Sequence, residues 1–341
     1  KRDLAIKLED LYNSYVRGYI SKIGNQEIIS IVGDFLNTSY CEDGFLNEAI
    51  DFIVDIINKP NIKNGVYDKR SFDIVKNQLK SNIESIKDNA PRYGFSRCLS
   101  FMDDECPSSY EILGTIDDLN KITTSNIVDS YNDLFTDFEC DIYVCGNLDM
   151  DDVYHLLNNR FSFKKHKEIV EDIYLYPKVR DKYIDVYERE KLYVAPLFNT
   201  ILGNNGLTSK LFKSIREENS LCYTVRSIYN RFDQNIIIYS GIDKKDKDKC
   251  LELVAAAMEE MATGKISDDE INGAKMISET IIKSSEDSLS GIIGERLYNN
   301  LVDIPLNKER IEVLKTISKE EIVKLAKKIK LNTIYLLGGE L

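Results

Sequence analysis

Apolar residues along this chain switch repeatedly between a helical and a strand period. Leu4, Leu8 and Leu11 share one helical face and predict an amphipathic opening helix. From Val16 to Val32 the pattern becomes that of two strands, joined as a hairpin at Gly24-Asn25. Leu46, Ile50, Ile53, Val54 and Ile57 then mark one face of a helix over 45–57, which Pro60 closes. A longer helix is expected over 69–88, with a break at Pro91. Thr124 or Ser125 can cap a helix over 126–134, and 140–144 reads as a buried strand.

The second half follows a similar order. Residues 183–187 alternate as a strand, 207–218 are helical, and 221–229 and 235–242 are strands. Long helices are expected over 246–262 and 268–300, Ser318 caps another ending near Ile329, and 332–337 forms a last strand. Strand pairs followed by long helices predict an α+β fold of two halves, each a mainly antiparallel sheet with helices on one face. The expected divisions are 1–165, a charged linker at 166–182, and 183–341.

The halves also match in sequence. Leu119-x-x-Ile122-Thr123 with Ile127-Val128 recurs as Leu314-x-x-Ile317-Ser318 with Ile322-Val323, at an offset of 195. Ile142-Tyr143-Val144-x-Gly146 recurs as Ile334-Tyr335-Leu336-x-Gly338 at 192, and Lys76, Ile83 and Asp88 recur as Lys275, Ile282 and Asp287 at 199. Three blocks in one order predict an internal duplication. Two such units need about 390 residues against the 341 present, so the first is expected to open about 45 residues before Lys1.

Charge narrows the function classes. Against 45 Lys and Arg stand 57 Asp and Glu, a net charge of −12 with no separate basic run, which argues against a nucleic-acid partner. No window approaches the ~18 apolar residues of a membrane span, and no signal peptide is visible at the start. Seven scattered cysteines read as reduced thiols of a cytoplasmic protein, and the odd spacing of Cys140 and Cys145 points them to opposite faces of a strand.

Familiar catalytic patterns are missing. A zinc hydrolase needs three fixed ligands and an open position, whereas His155 and His166 are the two histidines, 11 apart and outside any H-x-x-E-H or H-E-x-x-H frame. They read as surface residues. There is no G-x-S-x-G elbow, and a cysteine triad would need one of the same two histidines. Gly203 and Gly206 lie three apart with Lys210 inside the next helix, which is a helix-breaking turn, capped by Thr208 or Ser209, rather than a phosphate loop.

Phe198-Asn199-x-x-Leu202-Gly203, then Leu207-x-Ser209-x-Leu211-Phe212-x-x-Ile215-Arg216-Glu217, then Ser220-Leu221-Cys222-Tyr223-x-x-x-Ser227, resembles the C-terminal half of insulinase/pitrilysin-type metallopeptidases, most of all their bacterial processing-peptidase-like branch. Tyr239-x-Gly241-Ile242, Glu270-x-x-x-Ala274-Lys275 and Asp287-Ser288 extend the match, and Phe72-x-x-x-Lys76, Asp88, Tyr110-x-x-x-Gly114 and Ile122-Thr123 carry a weaker one into the first half. The resemblance implies two homologous α+β halves enclosing a peptide chamber. It also implies an H-x-x-E-H helix, which would precede Lys1, and a downstream Glu as third zinc ligand. That ligand position falls on Asn82, a neutral amide; Glu84, two residues on, points to another face of the helix. More residues are expected between Lys191 and Leu192, where the family has a strand and loop.

Arg216 and Tyr223 fit the family's paired Arg and Tyr, whose guanidinium and phenol can donate to a peptide carbonyl or developing oxyanion. The resemblance therefore implies a catalytically silent member with no metal of its own, binding an extended peptide through Arg216 and Tyr223. Its partner would be a zinc-bearing paralogue in a heterodimer, or a second copy of the chain. An active zinc endopeptidase whose metal helix precedes Lys1, and a scaffold that kept only the fold, are the alternatives.

Overall fold

The computed structural model describes residues 2–104, 107–134, 140–161, 189–302 and 304–338. His166, the linker at 166–182 and the expected strand at 183–187 lie outside them. In chain order come α1 (Arg2–Asp10), β1 (Tyr15–Ile23), β2 (Gln26–Asp34), α2 (Phe45–Asn58), the short β3 (Ile62–Lys63) and β4 (Val66–Tyr67), α3 (Lys69–Glu84), α4 (Ala90–Met102), α5 (Ile116–Lys121), α6 (Asn126–Asp133) and α7 (Met150–Arg160). Then follow α8 (Ala195–Asn199), flanked by π-helical turns Glu190–Val194 and Thr200–Asn204, a further π-helical turn Phe212–Glu217, β5 (Cys222–Asn230), β6 (Asn235–Ile242), α9 (Lys247–Thr263), α10 (Asp268–Ser285), α11 (Leu289–Val302), α12 (Asn307–Thr316) and α13 (Lys319–Lys328). The mixed helical and antiparallel architecture is the one the patterning predicts. Contacts divide the chain into a unit of residues 1–85 with 111–172 and a unit of 86–110 with 173–341.

In the first unit β1 and β2 pair antiparallel from Tyr15↔Asp34 to Ile23↔Gln26, with Gly24 supplying the positive φ of the turn. Leu11, Phe45 and Phe52 form a small core with Leu8, Val16 and Phe35 around them. Arg160 of α7 pairs with Asp51 of α2, and this hydrogen bond holds the Asp51 carboxyl below its usual range. Asp68 caps α3 by accepting from Ser71 N. Lys76 Nζ donates to Ile122 O at 2.6 Å. Thr123, rather than Thr124 or Ser125, caps α6. Its Oγ1 accepts from Asn126 N at 3.1 Å, and Asn126 Oδ1 accepts from Thr123 N at 2.8 Å.

In the second unit β5 and β6 pair antiparallel, and the face carrying Cys222, Val225 and Ser227 is buried. Helices α8, α9, α10, α12 and α13 supply Leu197, Phe198, Met261, Ala274, Leu314, Ile322 and Leu325 to the same core. Approach between α8 and β5 is close: Gly203, in the turn after α8, lies where a Cβ would meet Ser227 N at 2.9 Å. Ser267 and Ser318 each close a capping box, with Glu270 and Glu321. Lys275 Nζ donates to Ile317 O at 2.6 Å and to Lys315 O at 3.0 Å. Helix α4 belongs to this unit; it packs along β6, and Phe101 stacks on Tyr335 at 5.4 Å.

Four local expectations are corrected. Residues 140–144 and 332–337 are not strands: among the described residues no neighbour completes their hydrogen-bond ladders, and Ile142, Val144, Ile334 and Leu336 are exposed. The helix expected over 268–300 breaks between α10 and α11. Pro91 starts α4 in its first turn, where its missing N–H costs nothing, so it begins a helix as well as ending one. Finally, Lys191 and Leu192 lie within one continuous π-helical turn that runs directly into α8, with no strand or loop between them.

Candidate functional site

The segment leading to Arg216 and Tyr223 is tied down at both ends. Gly206, at φ +48°, opens its turn, and Ser209 Oγ folds back to donate to Gly206 O at 2.9 Å. Lys210 is structural: its buried ammonium lies 3.0 Å from Glu260 Oε2 and 3.2 Å from Glu270 Oε1, and donates to Lys265 O at 2.9 Å. Burial pushes the Glu270 carboxyl up, but the Ser267 backbone N–H and Lys210 outweigh it and hold it below its usual range. Such a lysine is spoken for, and no phosphate loop forms around it.

Beyond Lys210, Leu211, Phe212 and Ile215 are buried and fix the inner face of the π-helical turn. Ser220, at φ +53°, ends it, with Ser220 N donating to Arg216 O at 3.1 Å and Leu221 N to Ile215 O at 3.0 Å. β5 begins at once. Four residues, 218–221, thus separate the π-helical turn that carries Arg216 from the strand whose first outward residue is Tyr223.

Arg216 is exposed, with its guanidinium carbon 4.9 Å from the ring centre of buried Phe212 on the turn below, and it has no carboxylate partner among the described residues. Tyr223 is 90% exposed. The pairing explains why: Cys222 faces Ile242 and Thr224 faces Gly241, so Tyr223 is the extra residue of a β-bulge. A bulge re-aims the side chain it carries, here an aromatic that a regular strand would leave in the pleat. The arrangement offers a guanidinium and a phenol hydroxyl, both free to donate, at one end of a hairpin.

Residues at the expected zinc position do not suit the metal. Asn82 Oδ1, on the exposed side of α3, accepts from Gln78 Nε2 at 3.0 Å, and Glu84 lies 3.9 Å from Lys80. His155 is exposed on α7 against the edge of Tyr154. Among the described residues no three His, Cys, Asp or Glu side chains gather as a metal site would require. Nor is any described helix long and apolar enough to cross a membrane.

Sequence reasoning passed over two further cations. Arg226 stands on the exposed side of β5, and Arg97 on α4 lies over Phe101 at 4.8 Å. The signal was available: α4 contains two arginines and no acid.

Residues 184–278 match the family model described as the Peptidase M16 inactive domain. The chain is 24% identical over 355 residues to a Bacillus subtilis (strain 168) protein named Probable inactive metalloprotease YmfF, across 97% of this chain and 83% of the relative. A conserved protein from Enterococcus faecalis V583 has the same fold, with a TM-score of 0.88 at 24% identity over 96% of this chain and 82% of that one. The peptidase M16 inactive domain from Pseudomonas fluorescens superposes with a TM-score of 0.72 at 15% identity, over 96% and 81% of the two chains.

Proposed function

We propose, from the premise that this chain is an M16-family peptidase-like protein carrying the family's inactive domain, that it is the non-catalytic, substrate-binding subunit of a two-chain zinc metallopeptidase. The observation that carries the reading is the pair Arg216 and Tyr223: both are exposed, and the fold spends a bulge on Tyr223. An extended peptide would be held mainly through its main chain, with these two side chains donating to a carbonyl or developing oxyanion. Zinc and the attacking water would come from a paralogous partner, because Asn82 is a poor ligand. A cytoplasmic location belongs to the same reading and rests on the scattered cysteines.

The two halves, 1–165 and 183–341, are on this reading repeats of one unit. Paired details support it. Lys76 reaches the Ile122 carbonyl as Lys275 reaches that of Ile317. Asp68 and Ser267, 199 apart, cap α3 and α10, while Thr123 and Ser318, 195 apart, close reciprocal boxes with Asn126 and Glu321.

Co-expression with a zinc-bearing paralogue tests the function. Arg216→Ala should lower the complex's turnover about ten- to a thousand-fold, with co-purification unchanged. Full activity in an intact Arg216→Ala complex would overturn the reading and leave a scaffold.

A further inference from the structure

Three Asn-Gly steps occur in the chain, at Asn64-Gly65, Asn205-Gly206 and Asn272-Gly273. Such a step can close on itself: the glycine nitrogen attacks the Asn side-chain carbonyl carbon, and no Cβ on the glycine obstructs the approach. A Cβ at any of the three glycines Gly65, Gly206 or Gly273 would meet nothing within 4 Å, so space does not separate them. The backbone does. Gly273 lies inside α10, where its N–H is held in the helical ladder and the Asn272 backbone cannot turn without opening it. The N–H groups of Gly65 and Gly206 donate to no acceptor among the described residues. Asn64, at φ +54°, and Gly65, at φ +75°, form the exposed two-residue turn between β3 and β4, and a hairpin of such short strands opens easily. Asn205 and Gly206 lie in the turn after the π-helical Thr200–Asn204, with Gly206 exposed and Asn205 half-buried, its Nδ2 donating to Thr208 Oγ1 at 2.6 Å.

We infer that Asn64 and Asn205 are sites of spontaneous deamidation, Asn64 the faster of the two, and that Asn272 is spared. The bond from the glycine nitrogen to the Asn Cγ forms, and the side-chain nitrogen leaves as ammonia with the proton of the glycine amide. Water then opens the five-membered imide at either carbonyl. Each event turns Asn and water into Asp or isoaspartate and ammonia, needs no oxidant or reductant, and makes the chain more negative by one charge. At position 205 it also removes the Nδ2 donor to Thr208. The isoaspartate form further adds a methylene to the main chain, in the turn whose Gly206 carbonyl accepts from Ser209 Oγ at 2.9 Å. Modification there falls at the start of the segment that carries Arg216.

Mass spectrometry of tryptic peptides from the full chain, sampled during incubation in mildly alkaline buffer, decides it. Cleavage after Lys63, Lys191 and Lys265 puts the three steps on separate peptides. The hydrogen bond to Thr208 has to break first at Asn205, which predicts conversion about fivefold slower there than at Asn64. Asn272 has to wait for α10 to open, which predicts a rate at least about tenfold below that of Asn205. Thr208→Ala should raise the Asn205 rate about fivefold and leave the other two unchanged, whereas a general loosening of the fold would raise Asn272 as well. Conversion at Asn272 that keeps pace with the two turns overturns the inference. So does an Asn64 peptide that stays intact while the unfolded chain deamidates, or an Asn205 rate that Thr208→Ala does not move. Peptide binding enters none of these measurements, so their outcome leaves the role proposed for Arg216 and Tyr223 where it stands.

Discussion

Replacing Gly203 by Ala tests whether α8 and β5 are in fact held as close as the site requires. The new Cβ would meet Ser227 Oγ at 2.7 Å, Leu211 Cδ1 at 2.8 Å and Ser227 N at 2.9 Å. Leu211 can swing its tip aside, and Ser227 Oγ can turn only by leaving Asn199 O, to which it donates at 3.3 Å. Ser227 N cannot turn at all. Carbon contacts want about 3.5 Å or more, so β5 must move by about half an ångström relative to the turn after α8. Overpacking of this kind costs about 1–3 kcal/mol and the lost hydrogen bond about 1 more, giving a loss of about 2–4 kcal/mol. Gly273 is the internal control: it sits inside α10, a Cβ there meets nothing within 4 Å, and Gly273→Ala should gain about 0.5–1 kcal/mol. Urea unfolding followed by circular dichroism reads both as midpoint shifts at constant slope. Equal midpoints for the two variants would refute the packing argument.

Lys328 lies 2.5 Å from buried Glu190, so Lys328→Met should cost about 1–3 kcal/mol by removing the cation that faces a buried carboxylate; a variant as stable as the parent would contradict this. Acid should weaken the second unit. Arg189 holds Glu321 low, and Glu270 is held low against its burial by the Ser267 N–H and Lys210; a lowered carboxylate contributes stability above its unfolded pKa of about 4.3 and loses it as pH falls through the folded value. Replacing both with Gln, which can still close the capping boxes, should flatten the stability profile below about pH 5, and an unchanged profile would remove these pairs from the account. Ser267→Ala and Ser318→Ala should each cost about 1 kcal/mol in the same urea assay.

Elements whose stability is local were legible in the sequence; those that need a distant neighbour were not. Ser267 and Ser318 announce their helices because cap and box lie within four residues, and the hairpin turn at Gly24 is equally self-contained. Residues 140–144 and 332–337 have strand composition, yet a strand exists only when another supplies its partners, and composition says nothing of that. Pro91 reads from sequence as a break because a proline disfavours the preceding turn, and the same fixed φ suits the first turn of α4, which only the structure reveals. That helix packs against β6, far away in sequence, a contact that no local pattern announces.

The bulge at Tyr223, by contrast, left a mark that alternation alone could have revealed. Buried positions on β5 are Cys222, Val225 and Ser227, spaced three and then two apart, and a step of three in a period-two strand needs one extra residue. Deleting Thr224 would restore strict alternation: Cys222 and Val225 stay inward, Tyr223 stays outward, and every other pair keeps its register. Packing is then retained or improved, while the kink that aims the phenol is lost. The expected outcome is an unfolding midpoint at or above the parent's together with a loss of peptide affinity matching that of Tyr223→Ala. Should the deletion variant bind peptide as the parent does, the bulge is a packing accident. The case for Tyr223 as a recognition residue would then have to rest on its exposure alone, which many surface tyrosines share.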